Sequence, residues 1–83
     1  MKNLCRAIIW SACFLEMSED DVVDPDSAVK ALEDIASALQ QATEEEKRAF
    51  AEVCAGEADK LQQETGYARS ADFVRGLPAA LGL

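Results

Sequence analysis

The side chains with which this chain could do chemistry are three cysteines, sixteen carboxylates and five serines, with no histidine among its 83 residues. Without imidazole there is no Ser–His or Cys–His nucleophile pair and no imidazole general base. Zinc would have to be held by Cys5, Cys13, Cys54 and carboxylates, and no CxxC-type spacing brings those thiols together. The four glycines are scattered, so no phosphate-cradling loop exists. Asp24 and Asp26 could open a calcium-binding EF-hand loop. Ala28 and Val29 would then stand where a further ligand and a glycine are needed, so the test fails. Paired carboxylates could do acid–base work, but in a chain this rich in acids a surface pair is usually only solvated. The sequence therefore predicts no catalytic residue, no cofactor, no metal and no enzyme.

Cys5 and Cys13 are eight residues apart. On one helix that is about 12 Å of rise, beyond disulfide reach. Either could meet Cys54 across a helix interface, which leaves one thiol over. Three reduced, buried thiols acting as small hydrophobes are the expectation.

The carboxylates face only eight Lys and Arg, for a net charge of −8, and they are concentrated. "EMSEDDVVDPD", residues 16–26, holds six of them and no base. Such a surface repels the phosphates of nucleic acids and the headgroups of anionic membranes. It attracts basic proteins and steers their approach. The expected partner is a protein with a basic surface, not nucleic acid and not a membrane. The candidate partner-binding residues are Glu19, Asp20, Asp21, Asp24 and Asp26, joined by Glu44 and Glu45 of the "TEEE" turn.

The elements that must position these acids begin with "LCRAIIWSACFLEM", residues 4–17. Lys2, Arg6 and Ser11-Ala12-Cys13 hint at a secretion leader with a lipoprotein cleavage box. Only six residues separate Arg6 from Cys13, however, short for the apolar region of a leader. As a helix, Leu4, Ile8, Ser11/Ala12 and Leu15 share one face, flanked by Cys5, Ile9 and Cys13. An apolar arc this wide belongs in the centre of a bundle or in a subunit interface, and the stretch is too short to span a bilayer. It reads as a core helix of a cytoplasmic protein, with Trp10 and Phe14 as candidate anchors of a homodimer interface.

Ser18 closes that helix, with Asp21 placed as its capping partner for a short turn. Asp24-Pro25 opens a second helix running to about Gln41, with Ala28, Leu32, Ile35 and Leu39 as its stripe. Thr43 and Glu46 form the capping box of a third, whose inner face is Phe50, Val53/Cys54, Ala58 and Leu61. It should end near Thr65 with Gly66 as its cap, and Gly56 suggests a kink or a close helix contact. Ser70 caps a short fourth helix with Phe73, Val74 and Leu77 inward, stopped by Gly76 and Pro78, and "PAALGL" should pack back. Short loops between amphipathic helices make this an all-α chain, a three- to four-helix bundle in one domain over 1–83.

In size, charge and class the chain resembles bacterial immunity proteins and antitoxins. That resemblance implies an inhibitor that occludes a partner's surface, such as a basic catalytic cleft. A homo-oligomeric domain with a structural or adaptor role is the alternative. A third reading comes from "DPDSAVKALEDI", which resembles the helix start of acyl carrier proteins, whose serine takes a phosphopantetheine arm. It implies modification at Ser27, although Ala28 stands where those proteins usually have leucine.

Overall fold

A computed structural model describes residues 1–83 as four helices and no strand, with 77% of the chain helical. They are α1 (Lys2–Met17), α2 (Pro25–Gln40), α3 (Glu44–Gln62) and α4 (Ala68–Ala80). The all-α bundle predicted from the sequence is what forms. Helix α3 is its spine: α4 and α1 both pack along it, and α1 also touches α2 and α4. The core is Ile9 and Ala12 of α1, Phe50, Cys54, Ala58 and Leu61 of α3, and Ala71, Val74 and Leu77 of α4. Ala12, Ala58 and Ala71 are fully buried, and such small side chains let helix backbones approach closely around Phe50 and Ile9.

Two helix starts form as their sequence signals require. Asp24 caps α2, accepting from the Ser27 N–H at 3.0 Å, with Pro25 at the first helical position where its missing N–H costs nothing. Thr43 and Glu46 complete both bonds of their capping box, at 3.1 and 2.9 Å.

Elsewhere the structure corrects the expectation. The buried face of α1 is Cys5, Ile9, Ala12 and Cys13, whereas Leu4 is 68% exposed and Ser11 faces solvent. An arc that is apolar almost all round does not fix which side turns inward. Small thiols and Ala12 win because they allow close approach to α3. Helix α1 therefore lies on the bundle's flank, with its opposite face open. Ser18 does not pair with Asp21; its hydroxyl donates back to the Phe14 carbonyl, and the following turn is held by the N–H groups of Val22 and Val23 on Glu19 O.

Helix α3 ends at Gln62, three residues early, and Gly66 takes its positive φ of 90° in the loop beyond. Gly56 does not interrupt α3 and meets no neighbour, since a methyl group there would find nothing within 4 Å. Helix α4 starts at Ala68 without any side-chain cap, so Ser70 is inside it, and Gly76 and Pro78 do not stop it. Pro78 falls in the last turn, where it withholds one N–H from the Val74 carbonyl and no more. The chain then closes through Gly82 N–H on Ala79 O and Leu83 N–H on Pro78 O, both 3.0 Å, with Gly82 at φ 78°. This left-handed closure buries Leu81 and brings Leu83 onto the core, so the C-terminal segment is docked.

All three thiols are free and buried. Burial pushes the Cys54 thiol up to about 12, with Cys5 and Cys13 close enough to add to the effect. Burial likewise raises Cys13. Cys13 and Cys54 remain protonated packing groups at neutral pH.

Candidate partner-binding surface

The α1–α2 connection places five of the seven predicted acids together. Glu19, Asp20, Asp21, Asp24 and Asp26 are all exposed, and none has a cation within 4.0 Å. They are not equivalent, because Asp24 also accepts from the Ser27 hydroxyl at 3.0 Å and serves α2 as its cap. Asp26 sits in the first turn of α2, where the helix dipole favours a negative charge.

Glu44 and Glu45 do not join this cluster. They begin α3, at the far end of α2, roughly 24 Å of helix away. Glu44 is also partly neutralised by Lys47 at 3.6 Å. One acidic edge exists, on the α1–α2 side, and the "TEEE" turn is a separate helix start.

The edge borders an apolar groove that periodicity did not reveal. Helices α2 and α4 leave a gap of about 430 Å³, floored by Phe73, Leu77 and Leu81 of the α4 end and walled by Val29, Leu32 and Ala36 of α2. Its only ionisable lining groups are Glu16 and Glu33, both exposed carboxylates. A second cleft of about 210 Å³ continues it toward the loop, sharing Glu16, Val29 and Leu32 and adding Asp20, Leu15 and Val23. No lysine or arginine lines either one. The far end is closed by the Gln40 side chain, whose Nε2 donates to Leu81 O at 2.9 Å. Gly82 permits that closure, since a Cβ there would lie 2.8 Å from the same nitrogen.

The groove exists because α2 is underpacked. Its only buried residue is Ala28; Leu32, Ile35, Ala36 and Leu39 are half-buried, and Val29 is 56% exposed. Phe73, expected inward, is half-buried and faces this gap. The sequence signal for it was present: α2 has a clean apolar stripe, but an 83-residue chain offers too little opposing surface to cover it.

Phe14 and Trp10, the predicted interface anchors, are 56% and 40% exposed. They do not share one surface. Phe14 points away from the bundle, while Trp10 leans over a cleft with Arg6, Glu57, Lys60 and Tyr67. That cleft holds an ion pair the sequence did not announce: Arg6 Nε lies 2.8 Å from Glu57 Oε1, and Glu57 is 5% exposed. The guanidinium N–H is not aimed at that oxygen, so the contact is one of charge and not a formed hydrogen bond.

Ser27 is exposed in the first turn of α2, its hydroxyl donating to Asp24. No three His, Cys, Asp or Glu side chains are placed to hold a metal ion, and no helix is long and apolar enough to cross a membrane. No family model, no curated protein and no solved structure matches this chain.

Proposed function

We propose that this chain is a protein–protein interaction module that seats a cationic, apolar-faced segment of its partner in the α2–α4 groove. By filling its groove with that segment it withholds the segment from other contacts, in the manner of an immunity- or antitoxin-type inhibitor. The observation that supports this is the pairing of an apolar floor with a rim that carries carboxylates and no base. Apolar side chains entering the groove would complete the burial that α2 lacks, and that burial supplies the affinity. The carboxylates of the rim and loop add sign selectivity and speed association without having to be desolvated. A helix lying in such a groove would present apolar residues on one face and lysine or arginine at its edges.

The test uses the whole chain and a labelled amphipathic helical peptide with leucines on one face and lysines on the other. Fluorescence anisotropy should show saturable binding that weakens as salt is raised. Glu16→Gln with Glu33→Gln should weaken it about fivefold, and Leu32→Lys should abolish it. Equal binding of the same peptide with glutamates in place of lysines would refute the reading.

A further inference from the structure

The cleft under Trp10 shares no residue with the α2–α4 groove. Arg6 and Trp10 of α1 line it together with Glu57, Lys60 and Leu61 of α3 and with Tyr67, the residue before α4. Its volume of about 370 Å³ is in the range of small-ligand sites. We infer that it binds the zwitterion of a free aromatic α-amino acid, with the ammonium on Glu57, the carboxylate on Arg6 and Lys60, and the ring against Trp10 and Tyr67. This site is independent of the groove, and so is its test.

Glu57 is the group that asks for a ligand. It is 5% exposed, and its Oε1 is buried without a hydrogen-bond donor. Arg6 neutralises the charge from 2.8 Å, but no N–H of Arg6 is aimed at that oxygen, and the Arg6 side chain is itself 44% exposed. A buried acceptor left without a donor is a cost that a ligand can remove. An ammonium brings three donors to Glu57. Arg6 then turns to the ligand carboxylate, which its planar fork holds through two parallel bonds. Each charge exchanges one partner for another, and none is left buried alone.

The two signs of charge decide the class of ligand. Lys60 has no carboxylate within 4.0 Å, although the chain holds twice as many acids as bases. Glu57 and Lys60 stand three residues apart on α3, neighbours on the helix surface with about 5–6 Å between their Cβ atoms. A free amino acid carries both of its charges on one carbon and fits that separation; the two ends of a peptide are held apart by its length. A simple anion would meet Glu57 and Glu64 along with the bases, and a simple cation would meet Arg6 and Lys60.

The walls decide the side chain. Trp10 and Tyr67 are the only tryptophan and tyrosine of the chain, come from separate elements, and are 40% and 48% exposed. With Leu61 between the charged groups they offer an apolar surface on which a ligand ring can stack offset or edge to face.

Trp10 reports on its own site. The whole chain is titrated with phenylalanine up to about 10 mM at about pH 6, where a free α-amine is protonated, and binding is followed by Trp10 emission and by calorimetry. Saturable binding is expected. Phenylalanine amide lacks the carboxylate, N-acetylphenylalanine the ammonium and alanine the ring, and each should bind about tenfold more weakly. Glu57→Gln should weaken phenylalanine about tenfold and N-acetylphenylalanine not at all. Should that variant disturb folding, Lys60→Gln, at an exposed position, should weaken phenylalanine about fivefold and leave phenylalanine amide unaffected. Flat emission together with flat calorimetric traces overturns the proposal. So does N-acetylphenylalanine or phenylalanine amide binding as tightly as phenylalanine.

Discussion

Helices α3 and α2 are close in length and both start from a side-chain cap, yet they are held in opposite ways. Helix α3 buries Phe50, Cys54, Glu57, Ala58 and Leu61 against two neighbours; α2 buries Ala28 alone. The difference does not come from the helices' own patterns, because α2 has the cleaner apolar stripe. It comes from what lies opposite. Helices α1 and α4 cover α3, and α2 is left at the margin, resting chiefly on α1 and tied to the α4 end through Gln40. On the proposed reading the half-covered face of α2 serves as the interaction surface and the fully covered face of α3 as its scaffold.

The strongest way to break this comparison is to truncate one apolar side chain in each helix. Phe50→Ala should destabilise the chain by about 3–5 kcal/mol and Leu32→Ala by about 1 kcal/mol, read from urea unfolding. Equal losses would mean α2 is as much a part of the core as α3.

The next effect sharpens the α3 side. Arg6→Ala leaves the Glu57 carboxylate buried without its cation and should cost roughly 1–3 kcal/mol, less than a fully buried pair because Arg6 itself is 44% exposed. Glu57→Gln, which removes the charge and keeps the shape, should cost less. The reverse ranking would show that packing of the Arg6 stem, not the charge, matters at this contact.

Alkaline pH should also act on the α1–α3 seam. In the unfolded chain the Cys54 thiol ionises near its ordinary value of 9.0, while in the folded chain it holds its proton to about 12. Between those values the unfolded state releases the proton and the folded state does not, so stability is full below pH 9 and falls as pH rises toward 12. Thermal melts of Cys54→Ala should be less stable at neutral pH but flatter across that alkaline window.

The smallest effects are at two glycines. Gly56→Ala should stabilise α3 by about 0.5–1 kcal/mol, since the site is helical, exposed and unobstructed. Gly66→Ala should destabilise by a similar or larger amount, because φ there is 90°.

Element identity was legible in the sequence, since capping chemistry is local: Asp24-Pro25 and Thr43…Glu46 each satisfy their own helix start within a few residues. Orientation was not. Which side of α1 turns inward depends on α3, which periodicity within residues 4–17 does not contain. The true start of α4 was missed because Ser70 offered a cap, whereas burying Ala71, Val74 and Leu77 is served by a helix already running from Ala68. The acidic edge was half-legible. Five acids within residues 19–26 stayed together, while Glu44 and Glu45 were separated from them by the length of α2. The groove depended on the gap between α2 and α4, a tertiary feature with no motif of its own.

The most direct test of the central claim, that the half-covered face of α2 is where a partner docks, is a titration of the isotopically labelled chain with the leucine–lysine peptide, followed by backbone amide chemical shifts. The account expects shifts along α2 from Val29 to Ala36, in α4 around Phe73 and Leu77, and at Glu16 and Asp20, with the middle of α3 unmoved. Shifts confined to the α1 face at Leu4 and Phe14, or absent altogether, would contradict it.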